Sequence, residues 1–174
     1  FITNGQKAGL VIVVAKTDTT AGSKGISLLL VEADLPGFTK GKNLQKLGMK
    51  AQDTSELFFQ DVRVPRENLL GEEGRGFVYL MQDLPQERLS IAVGAVANAQ
   101  AILDATVDYT KDRKAFGTTV ASFQNTQFKL AELAAEITSA EVFCDRCTEL
   151  LVEEKLDTVT ASKAKLLTTD LQCK

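Results

Sequence analysis

Residues 122–151 read SFQNTQFKLAELAAEITSAEVFCDRCTELL, and the apolar spacing within them indicates what class of fold this chain adopts. One set of positions alternates steps of four and three residues without a break: Thr126, Leu130, Leu133, Ile137, Ala140, Cys144, Cys147 and Leu151. Such a seam is typical of a helix that packs lengthwise against antiparallel neighbours. The sequence therefore predicts a helix from about Ser122 to Leu151 within a helical bundle.

Two further helices are predicted on either side of this seam. The first extends from about Gly76 to Asp112, and the third begins near Asp157 or Thr158, either of which can cap it. Pro85 lies inside the first helix and lacks the backbone N–H that a helix interior requires. We expect the helix to bend or loosen at that residue.

The N-terminal part of the chain has the pattern of β-strands. Leu10–Ala15 is a continuous apolar run, as in a strand buried on both faces, and Ile26–Glu32 is a second strand. Residues 55–64 are β-rich, and Pro65 ends them. The polar, glycine-rich segment 66–76 is interpreted as the connection between two domains.

These patterns predict an α+β fold, in which a β-sheet or barrel-like segment precedes an antiparallel helical bundle. The predicted domains are 1–70, a β-domain, and 71–174, a helical domain. The length of 174 residues fits one domain or two small ones.

Composition excludes several classes of function. The net charge of −3 argues against nucleic-acid binding, which requires a basic surface. No apolar run approaches the length expected of a membrane span. The chain has no histidine and three cysteines, which are too few for a disulfide framework. Cys144 and Cys147 fall on the helical seam, so we interpret them as core residues and predict no metal site.

Two charged motifs interrupt the apolar helices. Glu87 and Arg88 are adjacent inside an otherwise apolar run, two residues after Pro85. Taken alone, such a pair is usually a solvated surface feature. The second motif, Arg113–Gly117, reads RKAFG. Taken alone, this motif fits the end of a helix as well as it fits a functional site. In the first case its basic residues suit the helix dipole and Gly117 terminates the helix.

Together these motifs resemble the acyl-CoA dehydrogenase family of flavoproteins. The resemblance covers essentially the whole chain and several motifs in the family's order. They are FITNG at 1–5, KLGMKAQDT at 46–54, FQDVRVP at 59–65, LPQERL at 84–89, RKAFG at 113–117 and FQ at 123–124. Within the family, residues 84–89 look most like the long-chain type. The resemblance implies that the chain is a fragment, covering part of the middle β-domain and part of the C-terminal helical domain.

The resemblance implies a reaction and a base for it. Members of the family oxidise an acyl-CoA thioester to the trans-2-enoyl-CoA: a carboxylate removes the α-proton, and the β-hydrogen leaves as hydride to N5 of the flavin of FAD. A carboxylate in an apolar, water-excluded pocket is a stronger base than one in water. In the long-chain type the base precedes an arginine on this helix, which makes Glu87 the candidate base and Arg88 its orienting, charge-balancing neighbour. The alternative is a base downstream of residue 174, with Glu87 only lining the pocket.

The resemblance also implies cofactor residues. Phe1 stands where many members have a tryptophan on the flavin ring, and Thr3 where a hydroxyl bonds near N5. Arg113 and Phe116 stand where an arginine and a phenylalanine meet the FAD of a neighbouring subunit, the arginine at its pyrophosphate. Gln124 matches a glutamine near the adenosine half. For Phe1 and Phe116 the alternative role is core packing. For Gln124 the alternative is a polar residue at the start of a helix.

The partners implied are an acyl-CoA substrate, an electron-transferring flavoprotein, and copies of the chain in a homotetramer built as a dimer of dimers. The implied location is the bacterial cytoplasm or the mitochondrial matrix, and the role is fatty acid β-oxidation. A chain of these 174 residues by itself is expected to be inactive and to hold no FAD. Two rival functions stay open: an acyl-CoA oxidase or flavin monooxygenase on the same fold, and a non-catalytic helical interaction module.

Overall fold

The computed structural model describes residues 1–174, which form two compact units, Phe1–Leu80 and Met81–Lys174. The first unit contains seven strands: β1 (Ile2–Thr3), β2 (Leu10–Lys16), β3 (Ile26–Glu32), β4 (Phe38–Lys40), β5 (Thr54–Ser55), β6 (Leu57–Phe59) and β7 (Leu69–Leu70). Next come helix α1 (Gly76–Asp112), strands β8 (Lys114–Ala115) and β9 (Thr118–Thr119), helix α2 (Gln124–Val152) and helix α3 (Thr158–Gln172). The predicted α+β class, with strands before a helical bundle, is confirmed. The domain boundary between residues 70 and 71 stays a prediction.

The strands of the first unit pair in three small antiparallel sheets. Strand β1 pairs with β5, β4 pairs with β6, and the third sheet has the order β2-β3-β7. In the register of β1 with β5, Ile2 faces Ser55 and Thr3 faces Thr54. Buried apolar side chains of this unit include Leu28, Val31 and Phe38.

Three details of the strands differ from the predictions. Strand β2 is not buried on both faces, because Leu10, Ile12 and Val14 are each more than half exposed while the alternate residues are half-buried. The β-rich run at 55–64 is interrupted at Glu56 and its last strand ends at Phe59. The segment predicted as a connection contributes strand β7, in which Leu69 pairs with Leu29 of β3.

The helical seam packs as its spacing predicts. Ile137, Ala140, Cys144 and Cys147 of α2 are buried, and the outer members of the seam are half-buried. They join one apolar cluster with residues of α1 and α3: Leu89, Ala92, Val96, Ala99, Leu103, Ala164 and Leu171. This cluster is the core of the second unit.

Helix α1 passes through Pro85 without ending there. Contrary to the sequence expectation, this helix is long and apolar enough to cross a membrane by length and composition. A core helix of a soluble protein passes the same test, so one such helix is weak evidence for a membrane span.

Helix α3 begins at a side-chain cap. Oδ1 of Asp157 accepts hydrogen bonds from the backbone N–H groups of Val159 at 2.8 Å and Thr160 at 2.9 Å. Of the two predicted caps, Asp157 rather than Thr158 is therefore the N-cap. Those bonds, together with one from the Thr160 hydroxyl, lower the pKa of the Asp157 carboxyl.

Candidate functional site

Glu87 lies on an exposed face of α1, whereas Leu89, two residues later, is buried in the bundle core. Residues three and four apart share a helix face, so the half-buried Leu84 and the exposed Ile91 lie beside Glu87. Glu87 forms no ion pair within the chain. Asp83 and Ser90 also lie one turn from Glu87, so this face is mixed in polarity, and these 174 residues do not themselves bury the Glu87 carboxylate.

Arg88 does not balance the charge of Glu87 in this structure. Adjacent helical residues point about 100° apart, because the helix has about 3.6 residues per turn, and no salt bridge joins the two side chains. The Arg88 side chain instead reaches a half-buried position, where Nη1 is buried without a hydrogen-bond partner. Its guanidinium therefore has neither a hydrogen-bond partner at Nη1 nor an ion-pair partner within this chain.

Arg113 immediately follows α1 and leads into a β-hairpin. Its backbone N–H donates to the carbonyl of Tyr109 at 2.9 Å, and its own carbonyl accepts from Val120 at 2.8 Å. In the hairpin Lys114 faces Thr119 and Ala115 faces Thr118, which leaves a two-residue loop. The interpretation of Gly117 as a helix terminator is wrong, because α1 ends at Asp112 and Gly117 belongs to the hairpin turn.

Phe116 and Gly117 form that turn, with φ values of 53° and 82°. Positive φ at both central residues is the type I′ turn, whose twist matches that of a β-hairpin. The turn presents Phe116 outward with 98% of its surface exposed, and its ring meets the edge of Phe123 at a centroid distance of 6.4 Å. The alternative of core packing for Phe116 is therefore wrong within this chain.

The structure gathers three of the predicted cofactor residues around this hairpin. Arg113, Phe116 and Gln124 are all exposed there, and Arg113 has no acidic partner. Gln124 is the first residue of α2, after Phe123 at the N-cap. Glu87 is not part of this group, because a helix rises about 1.5 Å per residue and the 25 residues from Glu87 to Asp112 span roughly 38 Å.

The other two predicted cofactor residues lie at strand β1 of the first unit. Phe1 directly precedes the strand and is 81% exposed, and Thr3 is the last residue of the strand and is exposed. Core packing as the alternative role for Phe1 is therefore wrong within this chain. Strand β1 is only two residues long, so its position depends on the turn that follows it.

That turn contains polar contacts that the sequence did not reveal. Oδ2 of Asp53 accepts a hydrogen bond from the backbone N–H of Gln6 at 2.8 Å. Nζ of Lys40 donates to the carbonyls of Gln6 at 2.9 Å and Ala8 at 2.7 Å. These partners are between 32 and 47 residues apart in sequence, and no local pattern signals such a pairing.

Cys144 and Cys147 are free and buried in the bundle, as predicted for core residues. Burial raises the pKa of both thiols, so both stay protonated at neutral pH. No group of three or more His, Cys, Asp or Glu side chains is arranged to hold a metal ion.

Comparison with protein families matches two parts of this chain. Residues 1–62 match "Acyl-CoA dehydrogenase, middle domain", and residues 74–174 match "Acyl-CoA dehydrogenase, C-terminal domain". The long-chain specific acyl-CoA dehydrogenase of Rattus norvegicus mitochondria is 53% identical over 99% of this chain and 40% of its own length. The mitochondrial short-chain specific enzyme of Mus musculus is 44% identical over 95% of this chain and 40% of its own length.

Among solved structures, an acyl-CoA dehydrogenase from Geobacillus kaustophilus superposes with a TM-score of 0.95. Its sequence identity is 49%, and the match covers 99% of this chain and 46% of that one. The chain therefore spans less than half of the length of these relatives.

Proposed function

The chain belongs to the acyl-CoA dehydrogenase family, and from this premise we propose that the full-length protein oxidises a fatty acyl-CoA thioester to the trans-2-enoyl-CoA. The single observation that carries the proposal is Glu87, an exposed carboxylate of α1 that has no ion-pair partner and lies beside the apolar side chains of Leu84 and Ile91. A base for an α-proton needs a free carboxylate, and surroundings that exclude water strengthen it; in the proposal the rest of the full-length protein and the bound substrate provide that burial.

Glu87 removes the α-proton of the thioester in this proposal. Leu84 and Ile91, one turn away on either side, provide apolar surface for the acyl chain beside the carboxylate. Arg88 is the orienting residue in this proposal: its guanidinium, which has no ion-pair partner within this chain, fixes this turn of α1. In this role Arg88 does not form a direct ion pair with Glu87.

The cofactor proposed is FAD, and the exposed residues fit it. When bound, FAD supplies the hydride acceptor, which no side chain can replace. Phe1 offers an exposed aromatic face and Thr3 an exposed hydroxyl for the flavin ring. The unpaired guanidinium of Arg113 suits a pyrophosphate, which it can bind through two hydrogen bonds.

The hairpin residues serve a different FAD molecule from the one that faces Glu87. The separation of roughly 38 Å along α1 supports this division, because the two groups of residues cannot line one small cavity. In the proposal Arg113 and Phe116 reach the FAD of a neighbouring subunit, with Gln124 near its adenosine half. The protein accordingly works as a homotetramer, a dimer of dimers.

The remaining partners follow from the same reaction. Electrons leave the protein to an electron-transferring flavoprotein, and the role of the protein is fatty acid β-oxidation. Relatives include mitochondrial enzymes of rat and mouse and a bacterial structure. We propose the mitochondrial matrix for a eukaryotic source and the cytoplasm for a bacterial one.

The test is Glu87→Gln in the full-length protein. This change keeps the size and a hydrogen-bonding group but removes the base, so flavin reduction by acyl-CoA should slow by at least ~10²-fold, while FAD and acyl-CoA still bind. Anaerobic stopped-flow bleaching of the flavin measures the rate.

Glu141→Gln, which changes another exposed carboxylate on α2, is the matched control and should bleach at the normal rate. Near-normal bleaching in Glu87→Gln would assign the base to a downstream residue and leave Glu87 only lining the pocket. A full-length protein that binds FAD but is not reduced by any acyl-CoA would contradict the proposed reaction itself.

A further inference from the structure

Asp53 is the one charged residue whose side chain is buried in this chain, with 6% of its surface exposed. Burying a carboxylate costs free energy unless hydrogen bonds replace its water. None of the catalytic or cofactor residues proposed above explains its presence. Its contacts all point to the turn that follows β1.

Asp53 holds this turn through both its side chain and its main chain. Oδ2 accepts from the backbone N–H of Gln6 at 2.8 Å, and the Asp53 carbonyl accepts from the N–H of Asn4 at 3.0 Å. A hydrogen bond to a charged acceptor is stronger than one between neutral groups. The carboxylate therefore fixes the first residues after β1 more firmly than a backbone bond alone.

The side chain of Lys40 holds the same turn by binding the carbonyl oxygens of the turn. Nζ of Lys40 donates to Gln6 and Ala8, and the side-chain amide of Gln6 donates to the carbonyl of Gly41. An anion thus binds an N–H group of the turn and a cation binds its carbonyl oxygens. Gln6 is held at its N–H, its carbonyl and its side chain.

Close packing removes the remaining freedom of the turn. Asn4 has a φ of 64°, in the left-handed region, and a Cβ on Gly5 would lie 2.6 Å from Oγ of Ser55. A side chain at residue 5 would therefore require Ser55 to shift. The chain leaving β1 is thus packed closely beside the strand in which Thr3 pairs with Thr54.

Two polar atoms beside this turn are left without partners. Oδ1 of Asp53 and Oγ of Ser55 are both buried and unpaired. Unpaired buried polar atoms destabilise a fold, and each one in a native protein requires an explanation. A site selected for stability alone would favour a smaller or better satisfied side chain than aspartate.

We propose that Asp53 is a positioning residue for the flavin, which acts by fixing the turn after β1 and thereby the places of Phe1 and Thr3. This inference rests on the proposed function, because it takes β1 as a flavin-contacting strand. Asp53 touches neither substrate nor flavin in this account. Its effect passes through the hydrogen bonds to Asn4 and Gln6.

The experiment compares Asp53→Ala, Asp53→Asn and Ser27→Ala in the full-length protein. Asparagine keeps an oxygen that accepts from Gln6, so it should restore what alanine loses. Ser27 is a matched control, since it is buried in β3 and its hydroxyl bonds Thr17 and the N–H of Gly74, away from the turn. Loss of the Ser27 hydroxyl should lower the free energy of unfolding without moving β1.

Three readouts separate positioning from general destabilisation. In Asp53→Ala, amide exchange of the peptide 1–9 should rise, the reduction potential of bound FAD should shift, and flavin reduction should slow by about tenfold or more, since misplacement by about 1 Å costs up to ~10²-fold. The KM for acyl-CoA should stay unchanged. Asp53→Asn and Ser27→Ala should keep the wild-type potential and reduction rate.

An Asp53→Ala protein with faster exchange at 1–9 but a wild-type potential and reduction rate would overturn the inference, and so would unchanged exchange. Equal flavin changes in Ser27→Ala would also overturn it, because the effect would then be general loss of stability. A wild-type protein that binds no FAD would contradict the proposed function instead, whatever Asp53 does to the turn.

Discussion

Phe116 occupies a backbone conformation that its residue type disfavours. Its φ of 53° lies in the left-handed region, which costs a residue with a Cβ roughly 1–2 kcal/mol. At this position of a type I′ turn, asparagine or glycine is strongly preferred. The exposed ring recovers only an edge contact with Phe123, so local stability does not account for a phenylalanine here.

We therefore expect Phe116→Asn to separate stability from cofactor binding. The variant acquires the favoured Asn-Gly turn, so its melting temperature without FAD should stay equal or rise. Its affinity for FAD should fall by about two- to tenfold, the range for one lost aromatic contact. Thermal unfolding and FAD titration of the full-length apoprotein measure the two quantities. A melting temperature and an FAD affinity that fall together would show that the ring is needed only for the hairpin.

The sequence predicts some of the proposed functional residues and misses others for a physical reason. Glu87 and Arg113 stand out because each interrupts a local pattern. Asp53 and Lys40 do not, since their role comes from contacts with Gln6 across a turn, and the pairing exists only after the strands have assembled. The direction of the Arg88 side chain is not predictable from the sequence either. The sequence shows that Arg88 is adjacent to Glu87, but it does not show that the two side chains point in different directions.

At the scale of elements, the seam of α2 gives a direct stability prediction. Ile137 is 2% exposed at its centre, so Ile137→Ala should lower the free energy of unfolding by about 2–5 kcal/mol through lost burial and a cavity. Glu141→Ala, on the exposed side of the same helix, should change it by less than about 0.5 kcal/mol. Urea denaturation of the full-length protein followed by circular dichroism measures both. Equal effects would mean that the seam is not the core-facing side of α2.

The cap of α3 should make stability depend on pH. The pKa of Asp157 is lowered in the folded state by hydrogen bonds from Thr160 and Val159, below the ordinary value of 3.8. Its stabilising effect is therefore fully present above that value, and it is lost as pH falls through the folded pKa. The side chain is exposed, so the effect is small and weakened by salt.

Asp157→Asn is the matched variant, because asparagine caps a helix without a charge. Wild-type protein should melt above Asp157→Asn at neutral pH, and the difference should disappear as the pH falls below about 3.8. Melting temperatures measured from pH 7 to 3 at low salt test this. A difference that persists unchanged to pH 3 would assign the stabilisation to something other than the ionised carboxylate.

Helices were more predictable than strands because a helix repeats its pattern over many turns. The start and end predicted for α1, Gly76 and Asp112, match the structure, and α2 differs by two residues at its start and one at its end. The hairpin β8–β9 has two residues in each strand and offers no periodicity. The sequence predicts a connection where β7 lies, because the membership of β7 in the sheet depends on β3, about 40 residues earlier.

At the scale of the whole molecule, the second unit leaves apolar side chains uncovered. Ile91, Val93 and Ile102 of α1 and Phe128 of α2 are each about half exposed or more. Phe143 and Leu150 of α2 are half-buried, and Phe143 packs against the core. Exposed apolar surface on several faces of the helices is typical of a protein that contacts other parts of its chain or other subunits.

We finally expect FAD binding and assembly to depend on each other through Arg113. If this guanidinium binds the pyrophosphate of a neighbouring subunit's FAD, each FAD molecule joins two chains and stabilises the dimer by mass action. Arg113→Ala should lower FAD affinity by about ten- to hundredfold, as for a lost charge-assisted hydrogen bond, and shift the full-length protein toward smaller species. Excess FAD should partly restore the larger ones. Lys111→Ala is the control, because it removes a nearby exposed charge that pairs only with Asp108. Size-exclusion chromatography with light scattering, with and without added FAD, measures the assembly. A monomeric wild-type protein with a full complement of FAD would refute binding across subunits, since Arg113 would then have no second chain to hold.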